Sequence, residues 1–224
     1  MNRALNALRD EICRVGASLF ARGYVHATAG NISVRVPQHA GGGYLITPTD
    51  ACLGFMAPSD LAWLDDSGVQ HSGSKASKTI VLHRTIYAAD PNAHCVIHTH
   101  ATHCVAATLQ APDATGDLLP PITPYFVMKV GHVPRIAYGR PGHPDVAEAV
   151  RAAIAHASAR DCPIRAVMLD QLGPTVWHAT PAAAMGVLEE LEETARLWAL
   201  TGGQAPSLSA SAINDLRDAF GARW

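Results

Sequence analysis

The chain has 224 residues, with 17 Lys+Arg against 19 Asp+Glu and a formal net charge of −2 at pH 7. That length suits one domain, or two small ones, with enough apolar material to bury a core. The near-neutral balance and the lack of a basic cluster exclude the electrostatic footprint of a nucleic-acid binder, while 16% charged against 48% hydrophobic residues point to surface hidden in an oligomer.

Leu5, Leu8, Ile12, Val15 and Leu19 recur at steps of three and four with Arg9, Asp10 and Arg14 between them. The spacing predicts an amphipathic helix over residues 2–22, stopped by Gly23. From Asn31 to Asp65, the short apolar stretches Ile32–Val36, Tyr44–Thr47 and Leu61–Leu64 are separated by Gly, Pro and Asp turns and predict strands. Helical spacing returns over Ser77–Ala89 through Ile80, Leu82, His83, Ile86 and Tyr87. His94–Ile97 predicts a buried strand that runs into His98-Thr99-His100, Ala147–Ala157 a helix, and Arg165–Leu169 a further strand. Thr180 and Pro181 read as the N-cap and first-turn proline of a helix reaching Leu200. Its Leu188, Leu191, Ala195 and Trp198 are expected inward, with Glu189, Glu192 and Glu193 toward water. A short helix over Ser211–Phe220 completes the pattern, and interspersed strands and helices predict a layered α/β domain.

No apolar run approaches the ~18 residues of a membrane span, and the N-terminus lacks a signal-peptide pattern, so a cytoplasmic protein with no membrane partner is expected. Cys13, Cys52, Cys95, Cys104 and Cys162 are odd in number and form no Cys-x-x-Cys pair, which fits reduced packing thiols.

Residues two apart on an extended strand share a face, so His98 and His100 can converge on one cation such as zinc or iron. Two imidazoles are one or two ligands short of a complete site, and a His-x-His pair also arises by chance among twelve histidines. Thr28-Ala29-Gly30-Asn31 is a turn whose glycine lets backbone amides approach an anion. Thr47-Pro48-Thr49-Asp50 and Ser74-Lys75-Ala76-Ser77-Lys78 add hydroxyls and two ammonium groups ahead of a helix N-terminus. A helix cap with solvated lysines accounts for the same residues.

Taken in order, Thr28–Arg35, Ile46–Thr49, Leu82-His83 through His98-Thr99-His100, and Glu189–Ala195 resemble the class II aldolase/adducin-head family, over roughly Leu5 to Trp198. Pro120–Met128, Gly131–Pro134 and Arg140–Gly142 most resemble its 3-oxo-tetronate 4-phosphate decarboxylase branch. The resemblance implies one domain over residues 1–224, a three-layer α/β/α fold around a mainly antiparallel central sheet, and a homotetramer with active sites between subunits. It implies a small-molecule substrate and a divalent metal, zinc foremost and iron or manganese as alternatives. His98 and His100 match the metal ligands, the cation offsetting charge that develops on substrate oxygen. Gly30, Asn31, Thr49, Ser77 and Lys78 fall where the family grips phosphate. Tyr125 matches the tyrosine that reaches a neighbouring subunit's site and handles a proton.

Three positions depart from the family pattern. Thr79 stands four residues before His83, where the family has an acidic residue that serves as general base or metal ligand, and a hydroxyl is no base at neutral pH without activation. Leu172, in Gln171-Leu172-Gly173-Pro174, stands where a third metal histidine is expected, leaving Asp170, Gln171 or His178 as stand-in donors. Asp50 replaces a glycine of the phosphate pocket and puts a carboxylate where it would repel phosphate. The expectation is a divergent metal-dependent lyase, aldolase or decarboxylase, acting on a small oxo-acid or sugar-acid through an altered metal site and phosphate pocket. The alternatives are iron-dependent oxygenation with His98, His100 and Asp170 as the metal triad, or a non-catalytic member kept for binding.

Overall fold

The computed structural model describes residues 3–112 and 114–224. Among them the centre is an eight-stranded sheet of β1 (Asn31–Arg35), β2 (Tyr44–Ile46), β3 (Ala62–Leu64), β4 (Gln70–Ser72), β5 (Cys95–His98), β6 (Arg135–Ile136), β7 (Ala166–Leu169) and β8 (Gly173–His178). The spatial order is β4-β3-β2-β1-β5-β8-β7-β6, antiparallel throughout except for the parallel pair β6 and β7. The helices are α1 (Arg3–Ala21), α2 (Ile80–Ala89), α3 (Thr102–Gln110), α4 (Pro144–Ala159), α5 (Pro181–Leu200) and α6 (Ala210–Phe220).

The central strands are buried on both faces, so they read as continuous apolar runs, yet their side chains still divide with a period of two. Cys95, Ile97, Ala166, Met168 and Val176 join Ile12, Val15, Cys104, Leu188 and Leu191 in a core under α1, α3 and α5. Val96, Val167, Leu169 and Trp177 join Leu82, Ile86, Val150 and Ile154 in a second core under α2 and α4. Two cores on opposite faces of one sheet make the expected three-layer α/β/α fold. Residue 2 of the first expected helix lies outside the described residues; no described helix is long and apolar enough to cross a membrane.

Helix α5 starts as its sequence dictates: Thr180 Oγ1 accepts from the Ala183 N–H at 3.1 Å, with proline in the first turn. Glu192, expected in water, is instead buried at 4% exposure. Its Oε1 accepts from the backbone N–H of His103 at 2.9 Å and its Oε2 from that of Cys104 at 3.0 Å. The carboxylate thus caps the positive end of α3, a helix with no side-chain cap of its own. Helix α3 and strand β8 were not readable as elements. The first is started by a residue 88 positions away or more, and the second opens on Gly173-Pro174, a pair that ordinarily marks a turn.

Candidate active site

Antiparallel pairing sets Asn31 of β1 beside His98 of β5 and Ser33 beside Val96, so Asn31, Ser33 and His98 share the face that carries α2. Thr79, His83 and Tyr87 lie four residues apart along that helix and its first turn, and meet β1 in a polar seam. Asn31 Nδ2 donates to Thr79 Oγ1 at 3.3 Å, Ser33 Oγ lies 2.7 Å from His83 Nδ1 and 2.8 Å from the Tyr87 hydroxyl, and Arg35 donates to the Tyr87 carbonyl at 2.5 Å. Two buried atoms of the seam, Asn31 Oδ1 and His83 Nε2, have no hydrogen-bond partner among the described residues.

His98 is 4% exposed, and its Nδ1 lies 2.9 Å from Thr175 Oγ1. Burial, aided by the neighbouring His100, pushes its pKa down to about 3; burial and His98 push that of His83 down to about 3. His100 is lowered too, by burial and then by His26. All three rings are therefore neutral at physiological pH, the form in which imidazole offers a lone pair. The ring centroids of His98 and His100 are 5.3 Å apart.

Two glycines fix the backbone between these histidines. Gly30, at φ +83°, packs so closely on strand β5 that a Cβ there would stand 2.9 Å from the His98 carbonyl oxygen; at Gly173 it would stand 1.9 Å from that of Thr99. The loops at 47–50 and 75–78 are tied side by side, the Thr49 N–H donating to Lys75 O at 3.0 Å and the Ser77 N–H to Thr47 O at 3.2 Å.

These elements enclose a cavity of about 290 Å³ lined by Gly30, Asn31, Thr49, Asp50, Ser77, Lys78, Thr79, His98 and His100. Every residue expected at the site is there except Tyr125, which is 59% exposed and does not line it. Arg140 and His143 line it as well. Arg140 belongs to a stretch the sequence marks, Arg140-Pro141-Gly142, but carries no signal of a binding role. Leu172 lines the wall and packs against the α2/α4 core. Thr79 is bonded to Asn31 and Ser77. Asp50 holds a left-handed backbone at φ +56°, a conformation that costs a non-glycine residue and suits glycine.

Of the stand-in donors, Asp170 lines the cavity, and Gln171 and His178 do not. Both carboxylate oxygens of Asp170 accept from Arg135, at 2.9 Å each. His178 pairs with Cys95 while Thr175 pairs with His98, so it sits three residues along β8 from the site. Gln171 occupies the turn between β7 and β8 with its N–H on Thr108 Oγ1 at 3.2 Å.

A divalent cation suits the two imidazoles. Two rings that share one tetrahedral ion through bonds of ~2 Å have centroids about 5 Å apart, as His98 and His100 do. They supply two donors, and among the described residues no three His, Cys, Asp or Glu side chains already converge on one point.

Residues 10–199 match the family model described as the class II aldolase and adducin N-terminal domain. The chain is 51% identical over 223 residues to the 3-oxo-tetronate 4-phosphate decarboxylase of Cupriavidus necator, covering 97% of each sequence. It is 36% identical to the enzyme of that name from Escherichia coli K12, covering 94% of this chain and 95% of the other. The crystal structure of Escherichia coli YgbL superposes with a TM-score of 0.86 at 34% identity, covering 96% of this chain and all of that one. An L-fuculose 1-phosphate aldolase structure shares the fold with a TM-score of 0.79 at 21% identity, covering 96% of each chain.

Proposed function

The chain belongs to the class II aldolase and adducin N-terminal domain family, and we propose that it is a carbon–carbon lyase that decarboxylates a small oxo-acid of the tetronate phosphate type. One observation carries this reading: the cavity joins two neutral imidazoles to Lys78 and Arg140, so a place for a cation lies beside groups that hold anions. A resident divalent metal, zinc foremost and iron or manganese as alternatives, would be held by His98 and His100 and would offset the negative charge developing on the substrate's keto oxygen.

The protein's own groups do the rest. The Lys78 ammonium and Arg140 guanidinium attract the carboxylate and phosphate ends. Asn31 Oδ1, buried and unpartnered, accepts from a substrate hydroxyl. Asp50 weakens the hold on phosphate, because like charges share the pocket.

Thr79 favours decarboxylation over aldol cleavage. Retro-aldol cleavage needs a base to take a hydroxyl proton, and Thr79 stands where the family's acidic residue would do so. An ionised 3-oxo-acid loses carbon dioxide with no proton removed: the bond to the carboxylate breaks, its electron pair moves toward the keto group, and one proton is then added at carbon. Tyr125, exposed and outside its own chain's cavity, would deliver that proton into a neighbouring subunit's site within a homotetramer of single-domain chains.

The test is product analysis by NMR after incubating purified, metal-loaded protein with 3-oxo-tetronate 4-phosphate and, separately, with a ketose 1-phosphate. Carbon dioxide and a hydroxyketone phosphate from the first, with the second untouched, is the expected result. Aldehyde release from the ketose alone would assign the protein to the aldolases.

A further inference from the structure

The Arg140 guanidinium makes no hydrogen bond or ion pair among the described residues, yet its backbone is held on both sides. It opens the turn Arg140-Pro141-Gly142-His143, closed by the His143 N–H donating to Arg140 O at 3.0 Å. Proline in second place and a glycine at φ +83° in third are the chemistry of a type II turn. Just before it, Gly139 lies so close to α4 that a Cβ there would stand 2.5 Å from Val146 Cγ2. His143 is fixed as well: its Nδ1 accepts from the Asp145 N–H at 3.3 Å, which leaves the proton of the neutral ring on Nε2 as a donor.

The order of the sheet decides which side of the histidines this turn occupies. Asn31 pairs with His98, His98 with Thr175, Gly173 with Leu169 and Leu169 with Ile136, so the ends of β1, β5, β8, β7 and β6 share one edge. Lys78 lies on the β1/β2 side of His98, because its segment is tied to the 47–50 loop. Arg140 follows β6, on the other side. Among the described residues these two are the only Lys or Arg that line the cavity. Asp170, the carboxylate on the Arg140 side, has both its oxygens on Arg135, which leaves Arg140 free for an incoming anion.

We propose that Arg140 is the residue that selects an acid substrate: it holds the carboxylate end, while Lys78 holds the phosphate end on the far side of His98 and His100. This rests on the reading of the cavity as the site of an oxo-acid phosphate, and it fixes which way round that molecule binds. In a 3-oxo-tetronate 4-phosphate the carboxylate is at one end, the hydroxyl and keto oxygens are in the middle, and the phosphate is at the other end. The cavity repeats that order as a cation, two imidazoles and a second cation. The two ends are told apart by shape. A planar guanidinium offers parallel N–H groups that match the two oxygens of a planar carboxylate. The Lys78 ammonium is a point charge set with the Thr49 and Ser77 hydroxyls, which suits a tetrahedral phosphate. A ketose 1-phosphate carries no carboxylate and leaves Arg140 without a partner, so this one side chain separates acids from ketoses. Because carbon dioxide leaves without charge, Arg140 pairs more strongly with the bound substrate than with the breaking bond, and its contribution falls on KM rather than kcat.

The experiment is calorimetry with two unreactive probes that differ only at carbon 1: a tetronate 4-phosphate, and the tetritol 4-phosphate in which a hydroxymethyl group replaces the carboxylate. The wild type is expected to prefer the acid by about 10- to 100-fold. Arg140→Gln should lose that preference and bind the tetritol phosphate as the wild type does, whereas Lys78→Gln should weaken both probes alike. Arg140 is exposed, so the variant should keep the wild-type melting temperature. With 3-oxo-tetronate 4-phosphate as substrate, Arg140→Gln should raise KM by a similar factor without lowering kcat. Equal losses for both probes in Arg140→Gln would put Arg140 on the phosphate, and no loss for either would take it off the substrate; each overturns the proposal. So would a wild type that does not prefer the acid or binds neither probe. A preference that depends on Arg140 in a protein that releases no carbon dioxide would uphold the carboxylate site and overturn the lyase reading alone.

Discussion

Gly173 runs beneath Thr99 so closely that a Cβ at position 173 would stand 1.9 Å from the Thr99 carbonyl oxygen. The Thr99 N–H also donates to Pro174 O at 3.1 Å, so the turn entering β8 serves as the floor under His98-Thr99-His100. Gly173→Ala must displace one of the two backbones, and at φ +146° the new residue is strained as well. The expected cost is about 2–4 kcal/mol in chemical denaturation, with a parallel loss of metal binding. An unchanged denaturation midpoint would contradict this contact.

The core of the fold was legible because each central strand is a short apolar run bounded by turn residues, and because Thr180-Pro181 is a local start signal. The pairing of His98 with His100 was legible from their spacing, although β5 ends at His98 and His100 is brought to 5.3 Å from it by the segment that follows the strand rather than by a shared strand face. What was hidden depends on residues distant in the chain. The start of α3 comes from Glu192, and the role of Gly173 from Thr99.

Thr79 and Leu172 stand where the resemblance places a carboxylate and an imidazole, and both line the cavity with His98 and His100. The double variant Thr79→Glu with Leu172→His is expected to bind zinc on the order of 100-fold more tightly than the wild type, read by chelator competition. Equal affinity would show that these positions do not face the ion.

Asp50 combines a left-handed backbone with a carboxylate on the cavity wall. Asp50→Gly is expected to stabilise the protein by about 1 kcal/mol through relief of strain, and to tighten inorganic phosphate binding measured by calorimetry. Weaker phosphate binding in the variant would mean that Asp50 assists the anion.

His83 has its pKa depressed to about 3 by burial and by His98, against roughly 6.5 in an unfolded chain. A depressed histidine contributes stability that is complete above the unfolded value and is lost as pH falls toward the folded one. Metal-free protein should therefore lose stability between pH 6.5 and 3, at a slope of up to about 1.4 kcal/mol per pH unit for this one ring. His83→Gln should reduce that slope in denaturation curves recorded across the range. Identical slopes in the two proteins would place a charged imidazole in the folded core.

The most direct measurement is carbon dioxide release from 3-oxo-tetronate 4-phosphate, followed in metal-loaded protein, after chelation, after restoring zinc, iron or manganese, and in His98→Ala. The expected result is release that falls at least ~100-fold on chelation, returns with one of the metals, and is absent from the variant. Release that is indifferent to both chelation and the loss of His98, or no release from the fully loaded wild type, would contradict a decarboxylase built on His98 and His100.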